Sequence, residues 1–166
     1  DNIKKVVNDI DATMNKTDMT YEIIMVNDGS PDNTFEIIEE IAKKRENTYA
    51  VDLARNSGQH AAIMAGFNYA KGEVIATCED DGQTEVSIIP QLIEKLNEGY
   101  DVAAPRYVDR GKRSLYREFG TKCATAMANW MIPRPKGVLV PIFFAAKKFV
   151  VKEIIKYNQL YPYIEG

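Results

Sequence analysis

Two hydrophobic rhythms alternate along the chain. Ile3, Val6, Val7, Ile10 and Met14 recur at helical spacing and predict a helix already under way where the sequence starts. Tyr21–Val26 is a short, largely apolar run and predicts a buried strand. Ser30-Pro31-Asp32-Asn33 reads as a turn and helix start, and Phe35, Ile37, Ile38, Ile41 and Ala42 carry the helical spacing onward. Thr48–Ala54 predicts a second strand, Gln59–Ala70 a helix ending before Lys71-Gly72, and Glu73–Cys78 a third strand. Val86–Leu96 predicts a helix with Pro90 near its start, where the missing N–H costs little. Tyr100–Ala104 predicts a fourth strand. Beyond it come a long helix over Ser114–Met131, a break at Arg134–Gly137, an apolar strand candidate at Val138–Ala146 and a last helix over Lys147–Tyr157.

Strands alternating with helices predict an α/β fold with a mostly parallel central sheet and helices on both faces. Crossovers in such sheets share one hand, so the carboxyl ends of the strands gather on one edge, and ligands bind outside that edge. The residues that follow each strand are therefore the informative ones. They are Asn27-Asp28-Gly29-Ser30, Arg55-Asn56-Ser57-Gly58, Glu79-Asp80-Asp81-Gly82-Gln83 and Pro105-Arg106. Stacked on one edge, they predict a polar crevice with carboxylates from two separate strands.

Composition narrows the class. The chain has 166 residues, 45% hydrophobic and 27% charged, as in an ordinary globular domain. Two cysteines, Cys78 and Cys123, are too few for a disulfide framework and read as free thiols of a reducing compartment. A single histidine, His60, argues against histidine-rich metal sites. No apolar run reaches about 18 residues, and no secretory signal is visible. The net charge of −3 hides a split. Residues 1–101 hold 9 Lys/Arg against 20 Asp/Glu, a balance of −11, and residues 102–166 hold 12 against 4, a balance of +8. Such a split suits a partner that is itself divided, such as a cation with phosphates, or an anionic surface; two ordinary solvated faces satisfy it as well. The basic half carries no RNA-binding motif or Cys/His finger, so a nucleic-acid partner is not expected.

The strand-end clusters carry the candidate chemistry. Three consecutive carboxylates, Glu79-Asp80-Asp81, repel one another and are neutralised most cheaply by a divalent cation. Oxygen ligands suit Mg²⁺ or Mn²⁺, which often share their shell with substrate phosphates. Along an extended chain Glu79 and Asp81 point the same way, which makes them the natural metal pair. A solvated Asp-Asp-Gly turn accounts for the same residues. Asp28 is placed to accept hydrogen bonds from a ribose or a base, or to serve a turn with Ser30 and Asp32 as helix caps. Arg55 and the amides at the next helix start are placed to hold a phosphate, or form an ordinary cap with a surface arginine. Arg106, Arg110, Lys112, Arg113 and Arg117 make a basic run suited to a diphosphate or a lipid phosphate, and equally to a solvated helix start. Trp130-Met131-Ile132 with Phe143-Phe144 reads as core rather than as a lipid site.

These strings resemble the family 2 inverting glycosyltransferases. Ile24-Met25-Val26-Asn27-Asp28-Gly29-Ser30, with Asp32 and Thr34, is similar to that family's first nucleotide-sugar loop. Arg55-Asn56-Ser57-Gly58 with Ala61, Ala62, Ala65 and Gly66 is similar to its next loop and helix, and Glu79-Asp80-Asp81-Gly82-Gln83 with Pro90 and Leu92 to its Asp-x-Asp metal motif. Arg106-Tyr107-Val108-Asp109-Arg110 resembles a segment of the branch that glycosylates polyprenyl phosphates, which includes dolichol-phosphate mannosyltransferases and undecaprenyl-phosphate sugar transferases.

The resemblance implies a Rossmann-like nucleotide-diphospho-sugar fold of the GT-A type. It implies a UDP- or GDP-sugar donor, Mg²⁺ or Mn²⁺ as cofactor, and a membrane lipid phosphate as acceptor. Asp28, Gly29, Ser30, Arg55, Asn56, Gly58, Asp80 and Gln83 would then line the donor site, Glu79 and Asp81 would hold the metal, and Asp81, Arg106 and Arg110 would be catalytic. It further implies a bacterial enzyme of cell-wall or polysaccharide synthesis at the cytoplasmic face of a membrane, with room for a homo-oligomer. The chain is expected to be a single catalytic domain, truncated before the family's opening Pro-x-Tyr-Asn-Glu strand and before its C-terminal membrane helices. Glu79 stands where the family has Asp, and Val140–Phe144 lacks the carboxylate of the family's Gly-Asp dipeptide. Two rival readings stay open: a non-catalytic nucleotide-sugar-binding domain and a nucleotidyltransferase.

Overall fold

The computed structural model describes residues 2–80, 84–105 and 142–156. The chain divides into two compact units, Asp1–Pro105 with Pro141–Gly166 and Arg106–Val140, and every described residue belongs to the first. The helix expected over Ser114–Met131 and the break at Arg134–Gly137 lie outside the described residues.

The alternation read from the sequence is present. Helix α1 spans Asn2–Met14, strand β1 Ile23–Asn27, helix α2 Thr34–Lys43, strand β2 Thr48–Asp52, helix α3 Gln59–Tyr69 and strand β3 Val74–Ala76. A short 3₁₀ turn, Val86–Ile88, leads into helix α4, Ile89–Asn97. Pro90 explains that boundary. It sits in the first turn of α4, where its missing N–H is no loss, so the α-helix proper starts just before it. Strands β4 (Val102–Ala103) and β5 (Ala145–Lys147) and helix α5 (Lys148–Lys156) complete the described elements.

β1 and β2 pair in parallel from Ile23↔Thr48 to Asn27↔Asp52, with α2 as the crossover between them. The register brings both strands to an end on the same edge. There the Asn27 amide donates to Asp52 Oδ1 at 2.7 Å. A second sheet has the order β3-β5-β4, with β5 antiparallel to both neighbours. Ala145 and Ala146 at its centre have no exposed surface. The apolar stretch expected around Val138–Ala146 thus contributes its strand at the far end of that range, continued by Lys147.

Packing follows the sequence pattern. Val6 and Met14 of α1 join Val86, Ile89, Leu92 and Leu96, together with Ala103, Phe143 and Ala145, in one buried cluster. Gly66 of α3 lies over β1, where a Cβ would be in ordinary contact with Val26 Cγ2 at 3.5 Å. Phe67 of α3 meets Phe144 edge to face, with ring centroids 6.3 Å apart, which joins α3 to the segment entering β5.

A half-buried polar knot ties the start of this framework. Arg45, just past α2, donates to both carboxylate oxygens of Asp11 on α1 at 2.6 and 2.5 Å. Its Nε donates to Thr48 Oγ1 at the start of β2, and the Tyr21 hydroxyl donates to Asp11 at 2.7 Å. The Arg45 hydrogen bonds hold the Asp11 carboxyl below its ordinary range, and the bond to Asp11 raises Tyr21. Because the folded-state pKa of Asp11 is depressed, its contribution is present above the unfolded value of about 4 and fades as pH falls through the folded one. Asp11→Asn should therefore lower stability at pH 7 by about 1–2 kcal/mol. Urea unfolding of both proteins should show that gap closing as pH falls below about 4. A gap that stays constant down to acid pH would show that the charge on Asp11 contributes nothing.

Candidate functional site

Three strand exits meet at one edge of the fold. β1 runs out at Asn27, and Asp28 follows. Its two carboxylate oxygens accept the backbone N–H groups of Ser57 and Gly58, at 2.7 and 2.8 Å. Those residues lie on the segment from β2 to α3, and Gly58 is the N-cap of α3 with φ +89°. A helix N-terminus attracts negative charge through its unpaired N–H groups and the helix dipole. Here that charge is Asp28. The amides of Ser57 and Gly58, just before the first helical residue Gln59, are engaged by Asp28, and Arg55 is the cationic residue of this loop.

Gly29 makes this contact sterically feasible. Its φ is +62°, and a Cβ on it would overlap the Arg55 carbonyl carbon and lie 2.5 Å from the Asn56 nitrogen. Only glycine lets the β1 exit press against the β2 exit in this conformation. Asn27 completes the first loop: its side-chain oxygen accepts from the Ser30 N–H at 3.4 Å. Asp32 accepts the Thr34 N–H at 3.1 Å, while the N-cap position of α2 is Asn33, without a side-chain cap bond. Ser30 therefore serves the loop rather than the helix, and Asp32 bonds into the first helical turn from one residue before the cap.

The third exit is held from below. Thr77, just past β3, is buried and donates its backbone N–H to the Phe144 carbonyl at 2.9 Å. Its hydroxyl bonds the Ile142 carbonyl and accepts from the Phe144 N–H at 3.2 Å. The chain then presents Cys78, Glu79 and Asp80. Glu79 accepts a hydrogen bond from the Gln59 side chain at 2.6 Å, so the β3 exit reaches the first residue of α3. The Glu79 N–H reaches Thr84 Oγ1 at 3.4 Å. Cys78 is an exposed free thiol, yet desolvation by the surrounding protein, followed by the charges of Asp80 and Glu79, pushes its pKa up to about 11. The carboxylate contribution marks a negative field at this exit.

The structure thus brings together Asp28, Gly29, Ser30, Arg55, Asn56, Gly58 and Glu79, with Asp80 next to Glu79 in the chain. Asp81, Gln83, Arg106 and Arg110 of the expected site lie outside the described residues, as do Arg117 and Cys123. Among the described residues, no three Asp, Glu, His or Cys side chains converge as a metal centre. Carboxylate oxygens such as those of Glu79 are nonetheless the donors that Mg²⁺ and Mn²⁺ prefer. Two residues were not legible as site residues in the sequence: Gln59, which holds Glu79, and Thr77, which holds the strand exit. Thr77 gives no sequence signal beyond a polar residue at the end of an apolar strand.

Comparison with known proteins places these loops in context. The pattern of glycosyl transferase family 2 matches residues 1–155. The undecaprenyl-phosphate 4-deoxy-4-formamido-L-arabinose transferase of Photorhabdus laumondii is 36% identical over 145 residues, covering 87% of this chain and 44% of that protein. The protein of the same name from Yersinia enterocolitica is 45% identical over 118 residues, 70% of this chain and 35% of that protein. The chain therefore spans less than half the length of these relatives. Among the described residues no helix is long and apolar enough to cross a membrane.

The contact at Gly29 yields a direct expectation. Gly29→Ala should cost at least about 1 kcal/mol from the left-handed backbone alone. It should also displace residues 55–58, visible as shifted amide resonances of Ser57 and Gly58. Unchanged resonances and stability would show that the two loops do not touch as described.

Proposed function

The chain belongs to glycosyl transferase family 2, and from that premise we propose that it forms the donor-binding part of an enzyme that moves a sugar from a UDP- or GDP-sugar to a polyprenyl phosphate, with inversion. The observation that carries the reading is the convergence of three loops: Asp28 fixes the β2 exit, and Gln59 at the head of α3 meets Glu79 from the β3 exit. The names of the relatives, undecaprenyl-phosphate sugar transferases, supply the acceptor class.

In this reading the bond from the anomeric carbon to the donor's diphosphate oxygen breaks, and its electron pair leaves with the nucleoside diphosphate. An acceptor phosphate oxygen forms the new bond from the opposite face. That oxygen is ionised at neutral pH, so no carboxylate base is required, in keeping with the absence of one in Val140–Phe144. Catalysis is then mainly positioning and stabilisation of the leaving charge. Arg55, on the loop that Asp28 ties down, would meet the donor's diphosphate. Arg106 and Arg110 would meet the leaving or acceptor phosphates. Glu79 and Asp81 would hold Mg²⁺ or Mn²⁺, and Asp80 and Gln83 would flank the donor. Such a cation, when bound, neutralises negative charge on the departing diphosphate. The membrane surface enters as the place where the acceptor resides.

The test is product analysis with the full-length protein, undecaprenyl phosphate in detergent and UDP- or GDP-sugars. The expected outcome is release of one nucleoside diphosphate that depends on both acceptor and divalent cation. Asp81→Asn should slow that release by about 10²-fold or more, the scale of losing one electrostatic stabiliser. Release of pyrophosphate would identify a nucleotidyltransferase. Nucleotide-sugar binding with no product would identify a binding domain.

A further inference from the structure

We propose that Asp52, the last residue of β2, binds the nucleoside half of the donor by accepting a hydrogen bond from a ribose hydroxyl, an inference that rests on the donor-site reading above. Two carboxylates stand at the first two strand exits, Asp28 and Asp52. Each oxygen of Asp28 already accepts a backbone N–H, one from Ser57 and one from Gly58. That carboxylate is spent on joining the two loops. Asp52 is exposed, and its Oδ1 accepts the Asn27 amide at 2.7 Å. Among the described residues, no group donates to its Oδ2.

Asn27 gives this spare oxygen a direction. Asn27 is only 4% exposed. Its Oδ1 accepts the Ser30 N–H at 3.4 Å and its Nδ2 donates to Asp52, so both ends of the amide are engaged. A buried amide held at both ends steadies the exposed carboxylate bonded to it, and side-chain freedom already lost in the fold is not lost again on binding. The tie to Asn27 uses one acceptor oxygen, and Asp52 supplies a second that the fold leaves over. Charge decides which part of the donor that oxygen meets. A carboxylate repels a diphosphate and attracts O–H donors. Arg55, the cationic residue of the same exit, follows three residues on, and three residues of chain reach at most about 10 Å. The ribose is the part of a nucleoside diphosphate joined directly to the phosphates, and its two hydroxyls are donors. A carboxylate at a strand end of an α/β sheet serves a ribose in this way. The base lies beyond the ribose, so the same contact serves UDP and GDP.

The experiment is calorimetric titration of the full-length protein at constant Mn²⁺, for the wild type, Asp52→Asn and Asp52→Ala. The ligands are UDP and GDP, then the 2′-deoxy and 3′-deoxy forms of whichever binds. The wild type should bind the ribonucleotide about tenfold or more tighter than one of its deoxy forms, the scale of one hydrogen bond to a charged group. In both variants that ratio should fall to about twofold or less. Asp52→Asn keeps an oxygen for the Asn27 amide, so it separates the ribose contact from the tie between the strands. Any loosening of the loops in Asp52→Ala weakens ribo and deoxy forms alike and leaves the ratio readable. A ratio that is unchanged in the two variants would overturn the assignment and leave the donor-site reading intact. Equal weakening of ribo and deoxy forms in Asp52→Asn would make Asp52 a base contact or a fold tie, which also overturns it. A wild type that binds ribo and deoxy forms equally has no ribose contact, with the same consequence. A wild type that binds neither UDP nor GDP would remove the donor-site reading itself, and this inference with it.

Discussion

The carboxylate of Asp28 holds two backbone N–H groups of another loop, and the arrangement of the first two strand exits follows from that contact. Ser57 and Gly58 lie at the head of α3, where unpaired amides call for an anion. By supplying one from the β1 exit, the chain fixes the β2 exit and the start of α3 together. The contact demands close approach of two backbones, which is why residue 29 is glycine in a left-handed conformation. A side chain that looks like a ligand contact is thus first an internal anion that shapes the site.

The second sheet is organised by a different device. Thr77 is a buried polar residue, and it satisfies both its backbone N–H and its hydroxyl on the segment Ile142–Phe144. That segment comes from far along the chain and continues into β5, between β3 and β4. The β3 exit therefore leaves from a hydrogen-bonded base rather than from a free strand end. Phe67 against Phe144 ties the same segment to α3. Glu79 is then reached from both sides, through the chain from Thr77 and through space from Gln59.

Much of this was legible in the sequence because short apolar runs and helical spacing are local signals. The strands ending at Asn27, Asp52 and Ala76 fall within or beside the runs that predicted them, and the polar clusters after them are the residues that meet. What was not legible depends on contacts through space. The segment before α3 gave no sign of a distant partner, since nothing in Arg55-Asn56-Ser57-Gly58 tells that Asp28 takes the Ser57 and Gly58 amides. Gln59 read only as a polar helix start, because its partner lies two elements away. The position of β5 between β3 and β4, antiparallel to both, is likewise a matter of long-range pairing that an apolar run cannot specify.

The family assignment and the geometry meet at this edge. Family 2 membership accounts for the order of the loops along the chain, and the Asp28 contact gives a physical reason for the first two of them to act as one unit. Amide hydrogen exchange at Ser57 and Gly58, compared between wild type and Asp28→Ala, tests that unit most directly. Both amides should be protected in the wild type and exchange at near-loop rates in the variant, while Met25 and Val51 in the β1–β2 pair stay protected. Fast exchange at Ser57 and Gly58 in the wild type, or protection that survives loss of the carboxylate, would contradict Asp28 as the anion that builds the site.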